Sequence, residues 1–188
     1  MSGTADPPRG SGLPSWLDGT LYARRLVLLT GWLDDAGAAR TAATLVSLDA
    51  ASAAPIELQV HGVDGTLDAA FVLVDTLETL RAPVRARCRG RIGTAAVGVV
   101  AAAGHRAASL HARFRLAQPD LRLSGTPDQV EAGRRWHRDR LARFQAHLAR
   151  ATGRPFDDIA HDMRRGRELD AREALACGLI DAIDAGAR

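Results

Sequence analysis

Residues 56–80 read IELQVHGVDGTLDAAFVLVDTLETL, and the reading of this stretch sets the architecture. Ile56, Leu58 and Val60 alternate with Glu57 and Gln59, the period-two pattern of a half-buried strand. His61 to Gly65 carries two glycines and an aspartate, which reads as a turn. From Leu67 to Leu80 the apolar residues recur at helical spacing, and Pro83 follows as a breaker. A strand, a turn and a helix in one short run form the unit from which α/β domains are assembled.

The same alternation extends outward. Residues 25–30, RLVLLT, are a short continuous apolar run suited to a buried strand, with Gly31 at its end. Residues 36–51 are alanine-rich, place Leu45 and Leu48 at helical spacing and exit before Pro55. Val84 to Cys88 predicts a strand whose arginines face water. Between Gly90 and Gly104 a glycine turn leads into an Ala/Val helix, whose small side chains allow close packing. His111 to Leu116 alternates like a strand. Three strand–helix pairs followed by a strand argue for an α/β fold.

Downstream, Thr126-Pro127-Asp128-Gln129 announces a long helix: Thr126 as N-cap, Pro127 at the first helical position, Gln129 closing a capping box. Val130, His137, Leu141, Phe144 and Leu148 form one apolar stripe on a helix ending near Gly153. Such a stripe needs a covering surface, in this domain or in another subunit. Phe156 to Met163 reads as a short helix, and Asp170 to Glu173 caps another that ends at Gly178.

Composition narrows the function classes. The chain has 188 residues, 46% of them apolar, enough for one sizeable core without disulfides or metals. The two cysteines, Cys88 and Cys177, sit among small or apolar residues and read as buried reduced thiols, compatible with the cytoplasm. The longest apolar segment, Thr94 to Gly104, is about half the ~20 residues a membrane span needs. Residues 1–17 read as a flexible N-terminal tail without an apolar signal region, leaving 18–188 as the folded domain. All 25 basic residues are arginine, and lysine and asparagine are absent, the imprint of a GC-rich genome. The formal net charge is only +3, and Arg134, Arg135, Arg138, Arg140 and Arg143 spread around a helix with Glu131 and Asp139 among them. That pattern is a solvated helix face rather than a nucleic-acid interface. His105 and His111 lack neighbouring cysteines, so no zinc site is expected, and no phosphate or dinucleotide fingerprint implies a cofactor.

Several segments resemble, in order, those of the Clp protease proteolytic subunit family (ClpP). Leu28-Leu29-Thr30-Gly31 with Asp34-Asp35 resembles "FLTG…ED". Leu58 to Thr76 resembles "LYINSPGG…A…YDT", keeping Gly65, Ala69, Asp75 and Thr76. Cys88-Arg89-Gly90 through Ala103-Gly104 resembles the nucleophile helix, Gln118-Pro119 the "HQP" corner, and LDAREALACGLID at 169–181 resembles "LSAPEAVEYGLVD". The likeness spans roughly residues 18–184. It implies the ClpP/crotonase-like fold of repeated strand–strand–helix units with a long protruding handle helix, and a place in rings.

The resemblance also implies a serine–histidine–aspartate triad, in which a hydroxyl attacks, an imidazole takes its proton and a carboxylate orients the imidazole. Here the histidine position holds Ala117 and the aspartate position Gly166. The serine position falls on Ala95 counting back from Gly104, or on Thr94 counting forward from Gly90. Thr94 also reads as an N-cap, and His61 as a turn residue or a replacement base. Gly65 and Ala96 remain as oxyanion N–H positions, with Asp64 placing a negative charge beside them. The resemblance therefore implies a degenerate, ClpR-like member: a pseudoprotease in heptameric rings with itself or with ClpP paralogues, beside an ATP-driven unfoldase. The alternatives are an active serine- or threonine-type endopeptidase rebuilt around Thr94 and His61, and a crotonase-like acyl-CoA binder resting on the same turn and helix.

Overall fold

The computed structural model describes residues 15–119 and 123–184. The chain runs α1 (Ser15–Ala23), β1 (Leu26–Leu33), α2 (Asp35–Ala51), β2 (Ile56–Gly65), α3 (Leu67–Thr79), β3 (Val84–Arg89), β4 (Arg91–Ile92), α4 (Thr94–Ala101), β5 (His105–Ser109), β6 (Arg113–Leu116), α5 (Pro127–Thr152), α6 (Phe156–Arg165), β7 (Arg167–Asp170), α7 (Ala171–Ala176) and β8 (Ala182–Asp184). Of the tail expected over 1–17, residues 1–14 lie outside the described residues and 15–17 open α1.

A five-stranded parallel sheet runs in the order β1-β2-β3-β5-β8, and a three-stranded sheet in the order β4-β6-β7. Register puts Val27, Leu58 and Ala86 side by side, then Leu29, Val60, Cys88 and Ala108. All of these are buried under the helical layer of α2, α3 and α4. Burial pushes the Cys88 thiol up to about 12, so it is an inert apolar filler. Cys177 is only half-buried, because it falls at the α7 C-cap and not inside the core.

Two boundaries differ from the sequence reading, for one reason. β1 does not stop at Gly31, and residues 61–65 are strand instead of turn. Past a bulge between Thr30 and Trp32, with Gly31 at φ 78°, the two strands resume pairing at Trp32–Asp64 and Leu33–Gly65. A bulge takes the left-handed glycine and re-aims the next side chain, here Trp32. Gly65 is needed because an added Cβ would run into the Leu33 carbonyl. β5, unread in the sequence, is alanine-rich and lacks β-branched residues; it forms because β3 and β8 pair with it on either side.

Arg25 is the only described non-glycine residue with positive φ, at 53°. Its guanidinium donates to the carbonyls of Leu48 (2.9 Å), Ser52 (2.9 Å), Ala54 (2.7 Å) and Pro55 (3.2 Å). These bonds gather the otherwise open C-terminal end of α2 and offset the backbone strain.

The handle helix α5 has 26 residues, about 39 Å at helical rise. Its capping box at Thr126–Gln129 forms as read, and Gly153 closes it. The apolar stripe is divided. Phe144 and Leu148 are fully buried, whereas Val130, His137 and Leu141 are only half-covered. Phe144 is therefore a core residue, set edge-on to Phe71 at 6.1 Å between centroids. Its ring occupies the space over Gly98 of α4, where any Cβ would collide with it.

His147, one residue before Leu148, is buried and its Nε2–H donates to the Gly98 carbonyl at 2.9 Å. Its Nδ1 faces the Arg150 guanidinium at 3.3 Å, with Glu78 at 4.0 Å. Burial, and then Arg150, hold His147 below the ordinary imidazole value despite the Gly98 bond, Glu78 and Asp75.

Two outcomes follow from this packing. Gly98→Ala gains about 1 kcal/mol of helix propensity but overpacks against Phe144 at about 1–3 kcal/mol, so chemical denaturation should show a net loss. A lowered folded-state pKa means the unfolded chain binds the extra proton. The His147 contribution is then complete above about pH 6.5 and is lost as pH falls below it, by up to about 1.4 kcal/mol per pH unit. Thermal melts should show the gap between wild type and His147→Gln narrowing from pH 7.5 to pH 5.

Candidate functional site

The ends of β1 and β2, the start of α3, the N-terminus of α4, the end of β6 and the first half of α5 converge on a cleft of about 490 Å³. Asp64 and Gly65 come from β2, Thr94 from α4, Arg115 from β6, followed by Ala117, Gln118 and Pro119. Trp32 enters from the β1 bulge, and Trp136, His137 and Arg140 from α5.

Thr94 is 5% exposed and is the first residue of α4, not its N-cap; Gly93 holds that position without a side-chain capping bond. The Thr94 hydroxyl donates to the Arg115 carbonyl at 3.2 Å and accepts from the Ala117 N–H at 2.9 Å. It thereby clips α4 to the end of β6. No imidazole among the described residues is hydrogen-bonded to it. Ala95 and Ala96, at 1% and 0% exposure, belong to the core and do not line the cleft.

Asp64 shapes the rest of the floor. Its Oδ1 accepts from the Gly65 N–H at 2.9 Å. Its side chain also lies flat on Gly93, so closely that a Cβ on residue 93 would overlap the carboxylate. The Gly93 N–H bonds to the Val63 carbonyl at 2.6 Å, which fixes the loop against β2. A carboxylate beside the start of α4 is favoured by the helix dipole, and it stands where a side-chain cap is missing.

Ala117 presents only a methyl group to the cleft. Gly166 does not line it: this residue is the left-handed C-cap of α6, at φ 64°, with open space where a Cβ would project. His61 is not brought to Thr94. It lies on the sheet face shared with Gln59 and Arg89, 3.2 Å from Gln59 Oε1 and 3.4 Å from Arg89 Nη1. Burial and Arg89 hold its pKa below the ordinary value. His105 and His111 are exposed, away from the cleft.

The cleft also contains residues the sequence reading had not assigned to it. His137 stood in the apolar stripe of α5 and Arg140 on its solvated face, and Trp136 had been given no place. Arg140 donates to Asp68 of α3 at 2.7 Å, and its guanidinium lies 4.2 Å from the Phe71 ring centroid and 5.3 Å from that of Trp136. The handle helix is thus latched over the start of α3. Trp32 had no signal beyond the glycine before it.

Among the described residues no group of three or more His, Cys, Asp or Glu is placed to hold a metal ion, and no helix is long and apolar enough to cross a membrane.

Against known proteins, a family model described as Clp protease matches residues 15–186. The chain is 35% identical over 176 residues to a Clp protease proteolytic subunit-like protein of Streptomyces coelicolor, covering 89% of this chain and 82% of that one. It is 33% identical over 185 residues to ATP-dependent Clp protease proteolytic subunit 1 of Nocardia farcinica, covering 95% and 92%. It is also similar to the chloroplastic proteolytic subunit-related protein 2 of Arabidopsis thaliana, at 29% over 184 residues. This chain covers 64% of the length of that plant protein.

The Thr94 clip generates a direct test. Thr94→Val keeps the shape but strands the buried Ala117 N–H and one Arg115 acceptor, at about 1–3 kcal/mol. Thr94→Ser retains both bonds. Urea denaturation should show a marked loss for the valine variant and a much smaller one for the serine variant.

Proposed function

The chain belongs to the Clp protease family, and from that premise we propose that it is a ClpP-like ring subunit that does not hydrolyse peptides. The single observation that carries this reading is the state of the Thr94 hydroxyl. Of the two positions that resemble the family's nucleophile, Thr94 lines the cleft and Ala95 is core. A nucleophilic hydroxyl needs a base to take its proton. The Thr94 proton instead points at a backbone carbonyl, and its lone pair is held by the N–H of Ala117, the residue at the base position.

The floor of the cleft supports the same reading. An oxyanion needs free N–H donors, each worth about 10²–10³ in rate. The Gly65 N–H is already bonded to Asp64, whose carboxylate also opposes any developing negative charge. Gly166 at the orienting position has no side chain with which to hold an imidazole.

In this proposal the subunit works by assembly, with copies of itself or with ClpP paralogues in heptameric cytoplasmic rings served by an ATP-driven unfoldase. The half-covered part of the α5 stripe, Val130 to Leu141, is the surface left for a neighbouring subunit. One observation favours the rebuilt-endopeptidase alternative: His137 shares the cleft with Thr94. That site would use His137, because His61 is held elsewhere.

Turnover of a short fluorogenic peptide distinguishes the two. Wild type, Thr94→Ser, and Thr94→Ser with Ala117→His should stay at background, because triad members act as a unit. Only the set that also carries Gly166→Asp and Asp64→Gly should gain activity. Wild-type turnover lost in both Thr94→Val and His137→Gln would establish the rebuilt site and contradict the proposal.

Assembly has its own expected outcome. Val130→Glu should weaken self-association or capture of a paralogue in sedimentation velocity without changing the melting temperature. Phe144→Glu should unfold the domain, since it buries a charge in the core. A well-folded monomer at all micromolar concentrations, with no paralogue complex, would contradict the assembly role.

A further inference from the structure

Trp32 and Trp136 are 67% and 59% exposed, yet both line the one cleft described above. Two large aromatic side chains left in water beside a concave surface mark a place where an apolar group is to be covered. Leu67 and Leu123 extend that lining.

The cleft holds two carboxylates and two guanidinium groups, and they are not all paired with one another. Of its two carboxylates, Asp64 is bonded to the Gly65 N–H and Asp68 to Arg140. Arg140 is thereby consumed. Arg115 lines the same cleft and, among the described residues, has no carboxylate partner. The neighbouring arginines on the small sheet are paired: Arg113 with Asp170, and Arg91 with Glu168, the residue opposite Arg115 in the β6–β7 register. A half-buried guanidinium with no carboxylate partner among the described residues, next to apolar walls, selects a ligand that supplies a carboxylate beside an apolar group.

We propose that the cleft binds the C-terminal end of a peptide with an apolar last residue, the free α-carboxylate meeting Arg115 and the apolar side chain lying between Trp32 and Trp136. This assignment rests on the reading of the chain as a non-hydrolysing subunit of a peptide-handling family, and it gives that subunit a ligand. Such termini are what peptide-bond cleavage by an active neighbour releases, so the cleft retains the product of a reaction it does not perform. Specificity follows from charge: an amidated terminus leaves Arg115 unpaired and its desolvation uncompensated.

The test uses the full chain and its own tryptophans. Titrate wild type with an N-acetylated pentapeptide of four alanines and a terminal leucine, as free acid and as carboxamide, and with octanoate as a simple apolar acid. The free acid should quench tryptophan fluorescence and bind at least ten-fold more tightly than the amide. Arg115→Gln should remove that preference, so that acid and amide bind alike, and Trp32→Ala should weaken acid and amide alike. Equal binding of acid and amide by wild type, or no binding of the acid up to millimolar concentration, overturns the proposal. Tighter binding of octanoate than of the peptide acid overturns the assignment to a peptide. Mass spectrometry of the recovered peptide keeps the two readings apart: a cleaved peptide contradicts the non-hydrolysing role, whereas an intact peptide bound without acid preference overturns the present proposal and leaves that role standing.

Discussion

Asp64 rests on Gly93, and only glycine at residue 93 admits the contact. The rest of the cleft follows from that approach. Because β2 continues to Gly65, the Asp64 side chain is delivered to the start of α4 and not to a surface loop. Because residue 93 has no side chain, α4 begins directly against β2, with the Gly93 N–H on the Val63 carbonyl. Thr94 is then placed within reach of β6, and its hydroxyl joins the two elements. The carboxylate supplies the negative group that the helix N-terminus lacks, and in doing so takes the Gly65 donor. One contact therefore both stabilises the local fold and leaves the Gly65 N–H bonded to a carboxylate.

The handle helix is anchored by a comparable economy of side chains. Gly98 opens a seat for the Phe144 ring, and the Gly98 carbonyl accepts from His147 one turn further along α5. Arg140 ties the exposed half of the same helix to Asp68 and the Phe71 ring. The helix carrying Trp136 and His137 is thus fixed at both ends of its contact with α3 and α4. The cleft wall it provides is part of the domain's packing rather than an appended arm.

Much of this was legible in the sequence, and the failures have physical causes. The α/β alternation, the capping boxes at Thr126 and Asp170, and the long α5 follow from periodicity and cap chemistry, which are local. The extension of β1 and β2 was hidden because glycines and an aspartate read as a turn, whereas here they permit bulging and close strand approach. β5 is alanine-rich and carries no local signal; its neighbours impose it. At the site, Asp64 was recognisable as an opposing charge, but its bond to Gly65 and its fit on Gly93 depend on a backbone approach no spacing reveals. Of Thr94 and Ala95 only Thr94 lines the cleft, which counting along the sequence does not reveal. His137, Trp32 and Arg115 come from distant elements, and only the folded chain brings them together.

The account's central claim is that the hydroxyl in the cleft is structural. Active-site titration measures this most directly: intact-mass spectrometry of the chain after exposure to an excess of fluorophosphonate probe, alone and in complex with an active ClpP paralogue. The account predicts full labelling of the paralogue and an unchanged mass for this subunit in both settings. Stoichiometric modification mapped to Thr94 would contradict it.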